Sequence, residues 1–180
     1  MKSLNNWLLV LSVLSCFGCS SPVHEDDRGC AFVSDSIQYR VEFMSAGCVR
    51  ILSFPEGDTL VTRRLVVDSE KPAFKDYKWE DTGQKLLFRT RELSVVFDKA
   101  DVAFTFQETS TGKLLLKEKG DRKARNFKRS VAGGEQCLEV TQRFVPTEDE
   151  AIYGLGQYQN GIMNYRGKSV LLLQANMDIV

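Results

Sequence analysis

Glu92-Leu93-Ser94-Val95-Val96-Phe97-Asp98, then Lys99-Ala100-Asp101, then Val102-Ala103-Phe104-Thr105-Phe106-Gln107-Glu108, is the stretch on which the fold class turns. Two short runs rich in β-branched and aromatic residues flank a polar loop, which is the pattern of a hairpin. In Val102 to Glu108 the alternation is explicit, with Val102, Phe104 and Phe106 on one side. Period two of this kind marks a half-buried strand. Outward from it the pattern repeats. Lys85 to Arg89 precedes it, and Ser110-Thr111-Gly112 turns the chain into Lys113 to Glu118. Nearer the N-terminus, Ser36 to Phe43 alternates, with Ile37, Tyr39, Val41 and Phe43 on one face and Gln38, Arg40 and Glu42 on the other. Ser45-Ala46-Gly47 turns into Cys48 to Phe54, where Val49, Ile51 and Ser53 alternate against Arg50 and Leu52, and Glu56-Gly57-Asp58 turns again. Further strands are expected at Arg64 to Val67 and at Gln136 to Phe144, the latter with Cys137 or Leu138, Val140, Gln142 and Phe144 on its buried face. Val170 to Gln174 is apolar throughout, as in a central strand. About eight strands with Gly-containing turns, and no helix longer than two turns after the leader, predict an all-β antiparallel β-sandwich.

Bulk properties narrow the function classes. The 180 residues carry 24 Lys plus Arg and 24 Asp plus Glu, so no net charge draws the chain to nucleic acid or to an anionic membrane. The single histidine, His24, lies in a Ser/Pro/Asp-rich stretch and reads as a solvated side chain. One imidazole at that place excludes His-based metal sites and Ser/His/Asp or Cys/His catalysis. Cys30, Cys48 and Cys137 have no Cys-x-x-Cys spacing among them, so zinc and thioredoxin chemistry are not expected. They are read as free, semi-buried strand residues, and no metal or cofactor is anticipated.

The first nineteen residues have the three-part layout of a secretory signal. Met1-Lys2 supplies charge, Trp7 to Leu14 an apolar core, and small residues with cysteines follow. The apolar run is too short for a permanent span. The ending Gly18-Cys19-Ser20-Ser21 is similar to a bacterial lipoprotein signal, with Cys19 as the lipidated residue and Cys16 as the alternative. Residues 20–33, with Glu25-Asp26-Asp27, then read as a flexible acidic tether, and 34–180 as the sandwich.

Several stretches invite a chemical reading. Lys117 to Arg129 holds seven basic residues, but Phe127 is its only aromatic, so it reads as a solvated loop rather than a nucleic-acid platform. Glu148-Asp149-Glu150 is a turn after Pro146, since adjacent carboxylates on a turn do not face each other across a substrate. Tyr153-Gly154-Leu155-Gly156-Gln157 lacks the third glycine and the βαβ setting of a dinucleotide loop. Its glycines are read as sites of close backbone passage. Tyr158 to Tyr165 (Tyr-Gln-Asn-Gly-Ile-Met-Asn-Tyr) combines aromatic and amide side chains. Aromatic faces stack on sugar C–H surfaces and planar amides bridge hydroxyls, so this loop is the candidate for carbohydrate contact.

Phe144, Asp149-Glu150-Ala151-Ile152-Tyr153-Gly154-Leu155-Gly156-Gln157, Asn160-Gly161, Asn164, Arg166-Gly167 and Val170 to Asn176 together resemble the N-terminal sandwich of family 31 glycoside hydrolases, most of all its α-xylosidase and α-glucosidase members. Val41 to Ile51 resembles the family's opening hairpin, and Glu92 to Glu118 its paired strands. The resemblance implies a galactose-mutarotase-like sandwich that packs on a (β/α)8 barrel, whose two aspartates carry out retaining hydrolysis of α-glycosides. The barrel motifs are not in these 180 residues, so no catalytic residue is assigned. The sandwich is expected to be incomplete at its C-terminus. The resemblance further implies that Tyr158, Gln159, Asn160 and Asn164, with Asn176 and Asp178, contact an α-linked xylose or glucose oligosaccharide. The expected setting is a Gram-negative periplasm or outer-membrane surface, with the protein held by its lipid anchor. A free-standing carbohydrate-binding lipoprotein is the alternative.

Overall fold

The computed structural model describes residues 23–58, 73–120, 127–155 and 160–172. Among them are eleven strands and no helix. The first sheet has the order β1 (His24–Glu25), β2 (Cys30–Ser34), β3 (Ile37–Ser45) and β4 (Cys48–Pro55). The second runs β5 (Lys78–Asp81), β6 (Lys85–Arg89), β7 (Leu93–Asp98), β8 (Ala103–Glu108) and β9 (Leu114–Lys117). A separate hairpin joins β10 (Phe127–Ala132) and β11 (Glu135–Val140). Every pairing is antiparallel between neighbours in sequence.

The alternation read from the sequence is what closes the two sheets on each other. Phe32, Ile37, Tyr39, Val41 and Phe43 from the first sheet meet Leu86, Phe88, Leu93, Val95, Phe97 and Phe104 from the second in one core. The contact between layers is largely aromatic. Phe32 and Phe97 have ring centroids 4.8 Å apart and tilted, and Tyr39 lies 5.2 Å from Phe97. Tilted rings at this separation add favourable quadrupole contact to the area they bury. The result is an all-β antiparallel sandwich. On its outer faces the alternation fails at one expected solvent position: Glu42 is 3% exposed and pairs with Arg50 on the neighbouring strand at 2.5 Å.

Turn chemistry sets the registers. Asp35 and Ser36 both take positive φ, +53° and +59°, between the paired ends Ser34 and Ile37. That is the backbone of a type I′ hairpin, whose twist matches its strands. Gly133 and Gly134, at φ +58° and +86°, make the corresponding turn of the β10–β11 hairpin. In the β7–β8 loop the Asp98 carboxylate accepts from the amides of Ala100 and Asp101, as expected of a polar hairpin loop.

Several expectations are corrected. The acidic stretch expected as a tether over 20–33 contributes strands from His24 onward, and Cys30 and Phe32 belong to the core. The cause is local pairing. Asp26 binds Arg40 of β3 through two contacts of 2.8 and 2.7 Å, and Glu25 accepts from the Tyr77 hydroxyl and the Trp79 indole. Gly29 makes this entry possible, because a Cβ there would lie 2.1 Å from the Val41 carbonyl oxygen. β5 was not expected at all. Of the three cysteines among the described residues, all free, only Cys30 is buried; Cys48 and Cys137 are exposed on β4 and β11. The strand expected over Gln136 to Phe144 ends at Val140, and Val140, Cys137 and Phe144 are exposed rather than on a buried face. Phe144 keeps one isolated bridge to Glu118. Val170 to Leu172 form no strand, and Leu171 is 85% exposed, so the central-strand reading fails over its described part. Within Lys117 to Arg129, the described ends belong to β9 and β10 rather than to a loop. The strand expected over Arg64 to Val67 and the leader with Cys16 and Cys19 lie outside the described residues.

Candidate functional site

The candidate loop hangs on an exposed arm that leaves the second sheet after β9. Backbone bonds from Val145 to Lys117 and from Lys119 to Arg143 attach the arm to that edge. Beneath it, Glu118 is a buried carboxylate with a structural task. Its Oε2 accepts from the Phe104 amide at 2.8 Å, and its Oε1 accepts from the Gln142 side-chain amide at 2.9 Å. A charged acceptor aimed at a buried N–H makes a strong hydrogen bond, so Glu118 ties the arm to the sandwich.

The arm folds back on itself through its amides and one arginine. Asn164 Oδ1 accepts from the amides of Ile152 and Arg166, at 3.1 and 3.0 Å. Tyr165 donates its amide to the Ile152 carbonyl and is buried. Arg166 Nη1 reaches the carbonyls of Thr147, Glu148 and Glu150 at 2.6 to 2.8 Å. The turn expected at Glu148 to Glu150 is therefore held from inside the loop, and the Glu150 carboxylate accepts from the Thr147 amide. These acids are committed to a turn rather than set opposite each other. Gly154 and Leu155 take φ of +89° and +65°, but a Cβ at Gly154 would meet nothing within 4 Å. Backbone conformation, not close passage, is what requires Gly154.

Of the six sequence-derived contact residues, Asn160 and Asn164 are described, and both are exposed. Tyr158, Gln159, Asn176 and Asp178 lie outside the described residues. Asn160 Oδ1 accepts from the Ile162 amide and from the Tyr165 hydroxyl. Both asparagines thus spend their carbonyl oxygens on the loop. Asn160 and Tyr165 also line a shallow hollow of about 280 Å3 with Ile162, Lys168 and Val170; Asn164 does not line it. Lys168 was not singled out from the sequence; Tyr165 closes the candidate loop read there and Arg166 is among the residues that carry the resemblance, but neither was given a role of its own. Among the described residues no group of three or more His, Cys, Asp or Glu side chains could hold a metal ion.

Two layers of antiparallel sheet closed by an aromatic core, with a long exposed arm at one edge, define a sandwich of the galactose-mutarotase type. Residues 38–178 match the family described as the glycosyl hydrolase 31 N-terminal galactose mutarotase-like domain, and the chain belongs to that family. An α-xylosidase from Saccharolobus solfataricus is 30% identical over 159 residues, covering 80% of this chain and 20% of that protein. The chain therefore spans about a fifth of the length of this curated relative. The crystal structure of a family 31 α-xylosidase from Xanthomonas citri matches with a TM-score of 0.68 and 28% identity, over 86% of this chain and 17% of that one. A family 31 α-xylosidase from a soil metagenome, solved with xylose, shares the fold at a TM-score of 0.59 and 22% identity, over 82% of this chain and 24% of that one. An uncharacterized Listeria monocytogenes protein, solved with glucose, magnesium and calcium, does so at 0.61 and 20%, over 83% and 13% of the two chains.

Proposed function

We propose that this chain is the non-catalytic N-terminal domain of an exported α-glycoside hydrolase that acts on α-xylosides or α-glucosides. In this reading it supports a catalytic barrel and lines the sugar-binding mouth with the loop around Tyr158 to Asn164. The observation that carries the reading is the 30% identity with an α-xylosidase over 159 residues. The loop chemistry supports it, since exposed amide donors fixed by their own carbonyl ends are suited to bridge sugar hydroxyls. The carboxylate pair that glycoside hydrolysis needs, about 5 Å apart in retaining enzymes, would come from the barrel. The Glu148–Glu150 turn offers no such facing pair. Lipidation at Cys19, or at Cys16, would hold the enzyme on a Gram-negative membrane near its oligosaccharide.

The test is hydrolysis of aryl α-xyloside and aryl α-glucoside. Residues 1–180 should turn over neither substrate, and the whole protein encoded with them should turn over at least one. Turnover by the 180-residue chain that a substitution within it abolishes would overturn the non-catalytic role. A full-length protein that binds an α-xyloside without hydrolysing it would favour the free-standing carbohydrate-binding lipoprotein instead.

A further inference from the structure

At the far side of the second sheet from the arm, β5 and β6 form a groove of about 560 Å3, within the range of small-ligand sites. Its charges are arranged in an unusual way. Lys78 of β5 stands directly opposite Arg89 of β6. Like charges facing each other across an antiparallel pair are destabilising. Both residues are exposed, and neither makes an ion pair with any described residue. Arg91 adds a third cation to the rim, though its Nε is engaged by Glu92 at 3.1 Å. An anion seated between Lys78 and Arg89 would turn this repulsion into two charge-assisted hydrogen bonds.

The rest of the lining defines what kind of anion fits. Asp76 and Glu80 also border the groove, and neither is within ion-pair distance of its cations. Two carboxylates repel a bare multivalent anion, but they are good acceptors for hydroxyl groups. Leu87, paired opposite Glu80 and so on the same face as Lys78 and Arg89, gives the groove an apolar part. A ligand that offers one carboxylate, several hydroxyls and a C–H face answers all three features. We propose that the β5–β6 groove is a second binding site, for an acidic saccharide of the uronic-acid class, whose carboxylate lies between Lys78 and Arg89. The saccharide half of this assignment rests on the proposed carbohydrate role of the chain; the anionic half rests on the groove.

The experiment is a protein-observed NMR titration of residues 1–180 with methyl α-D-glucuronoside, methyl α-D-glucoside and sodium sulfate. The glucuronoside should shift the resonances of residues 78–80 and 87–91, and both other probes should bind at least about tenfold more weakly. Arg89→Gln and Lys78→Gln should each weaken glucuronoside binding by a similar factor. Without ligand, neither should melt below the wild type, because each relieves a like-charge pair. Asn160→Ala should leave the titration unchanged, which separates this groove from the loop and from any outcome of the hydrolysis assays. Equal binding of glucoside and glucuronoside would remove the anionic half, and equal binding of sulfate would remove the saccharide half. The absence of shifts in the groove, or unaltered affinity in both variants, would overturn the site.

Discussion

Asp26→Asn removes one charge and almost no volume, and it tests whether the stretch before β2 is part of the fold. Asp26 Oδ1 and Oδ2 receive the Arg40 guanidinium at 2.8 and 2.7 Å, and Oδ1 also accepts from the amides of Arg28 and Gly29. The Arg40 contact, with help from those amides, holds the carboxyl at about 2 against an ordinary value of 3.8. A difference of that size corresponds to roughly 2 kcal/mol of folding stability. With the aspartate side chain 32% exposed, solvent screening brings the expected effect to about 1–2 kcal/mol. The sign follows from which state takes up the proton first. Above about pH 5 the carboxylate is ionised in both states and the contribution is complete. As the pH falls below 3.8 the unfolded chain is protonated before the folded one, and the contribution is gone once the pH passes about 2. Urea unfolding from pH 6 down to pH 2 is the assay, with the variant alongside. At pH 6 Asp26→Asn should be about 1–2 kcal/mol less stable, or melt roughly 3–6 °C lower, and the gap should narrow as the wild type is acidified through this window. A gap that is absent at pH 6, or that keeps its size down to pH 2, would refute the role given to this ion pair.

Three further outcomes are expected. Glu118→Ala leaves the Phe104 amide and the Gln142 side chain without their acceptor, and should cost about 2–3 kcal/mol in urea unfolding; a loss under about 0.5 kcal/mol would mean that the arm is held by other contacts. Burial pushes the Cys30 thiol up to about 11, against a smaller lowering by its hydrogen bond with Tyr77, while Cys48 and Cys137 are exposed, so mass mapping after brief alkylation at neutral pH should find label on Cys48 and Cys137 and spare Cys30 until the chain is unfolded. Metabolic labelling with a fatty-acid analogue should mark the wild type and lose its signal in Cys19→Ala; label retained there but lost in Cys16→Ala would move the anchor to Cys16, and an unlabelled wild type would rule out a lipoprotein.

What could be read from the sequence follows from which signals are local. Lys85 to Arg89 and Leu93 to Asp98 were legible because their residue types recur within one strand, and both are strands of the second sheet. β5 was not legible, because Lys78-Trp79-Glu80-Asp81 holds one apolar residue and becomes a strand only by pairing with β6. Cys30 to Ser34 was obscured by the acidic residues before it, whose charges are answered by Arg40, Tyr77 and Trp79 from distant parts of the chain. At Val170 to Leu172 apolarity was mistaken for burial; composition does not say what covers a segment. In the candidate loop the amide-rich composition was visible. That Asn160 and Asn164 would each turn the oxygen inward was not, since it depends on where Ile152, Tyr165 and Arg166 come to lie.

The proposed role at the sugar mouth meets its most direct test in steady-state kinetics of the full-length protein on an aryl α-xyloside and an aryl α-glucoside, wild type against Tyr158→Ala and Gln159→Ala. A residue that contacts sugar in both the ground state and the transition state contributes uniform binding, and its loss raises KM with little change in kcat. The account predicts that kcat/KM falls several-fold in each variant through KM, while the unfolding midpoint stays at the wild-type value. Unchanged kcat/KM on both substrates in both variants would contradict it.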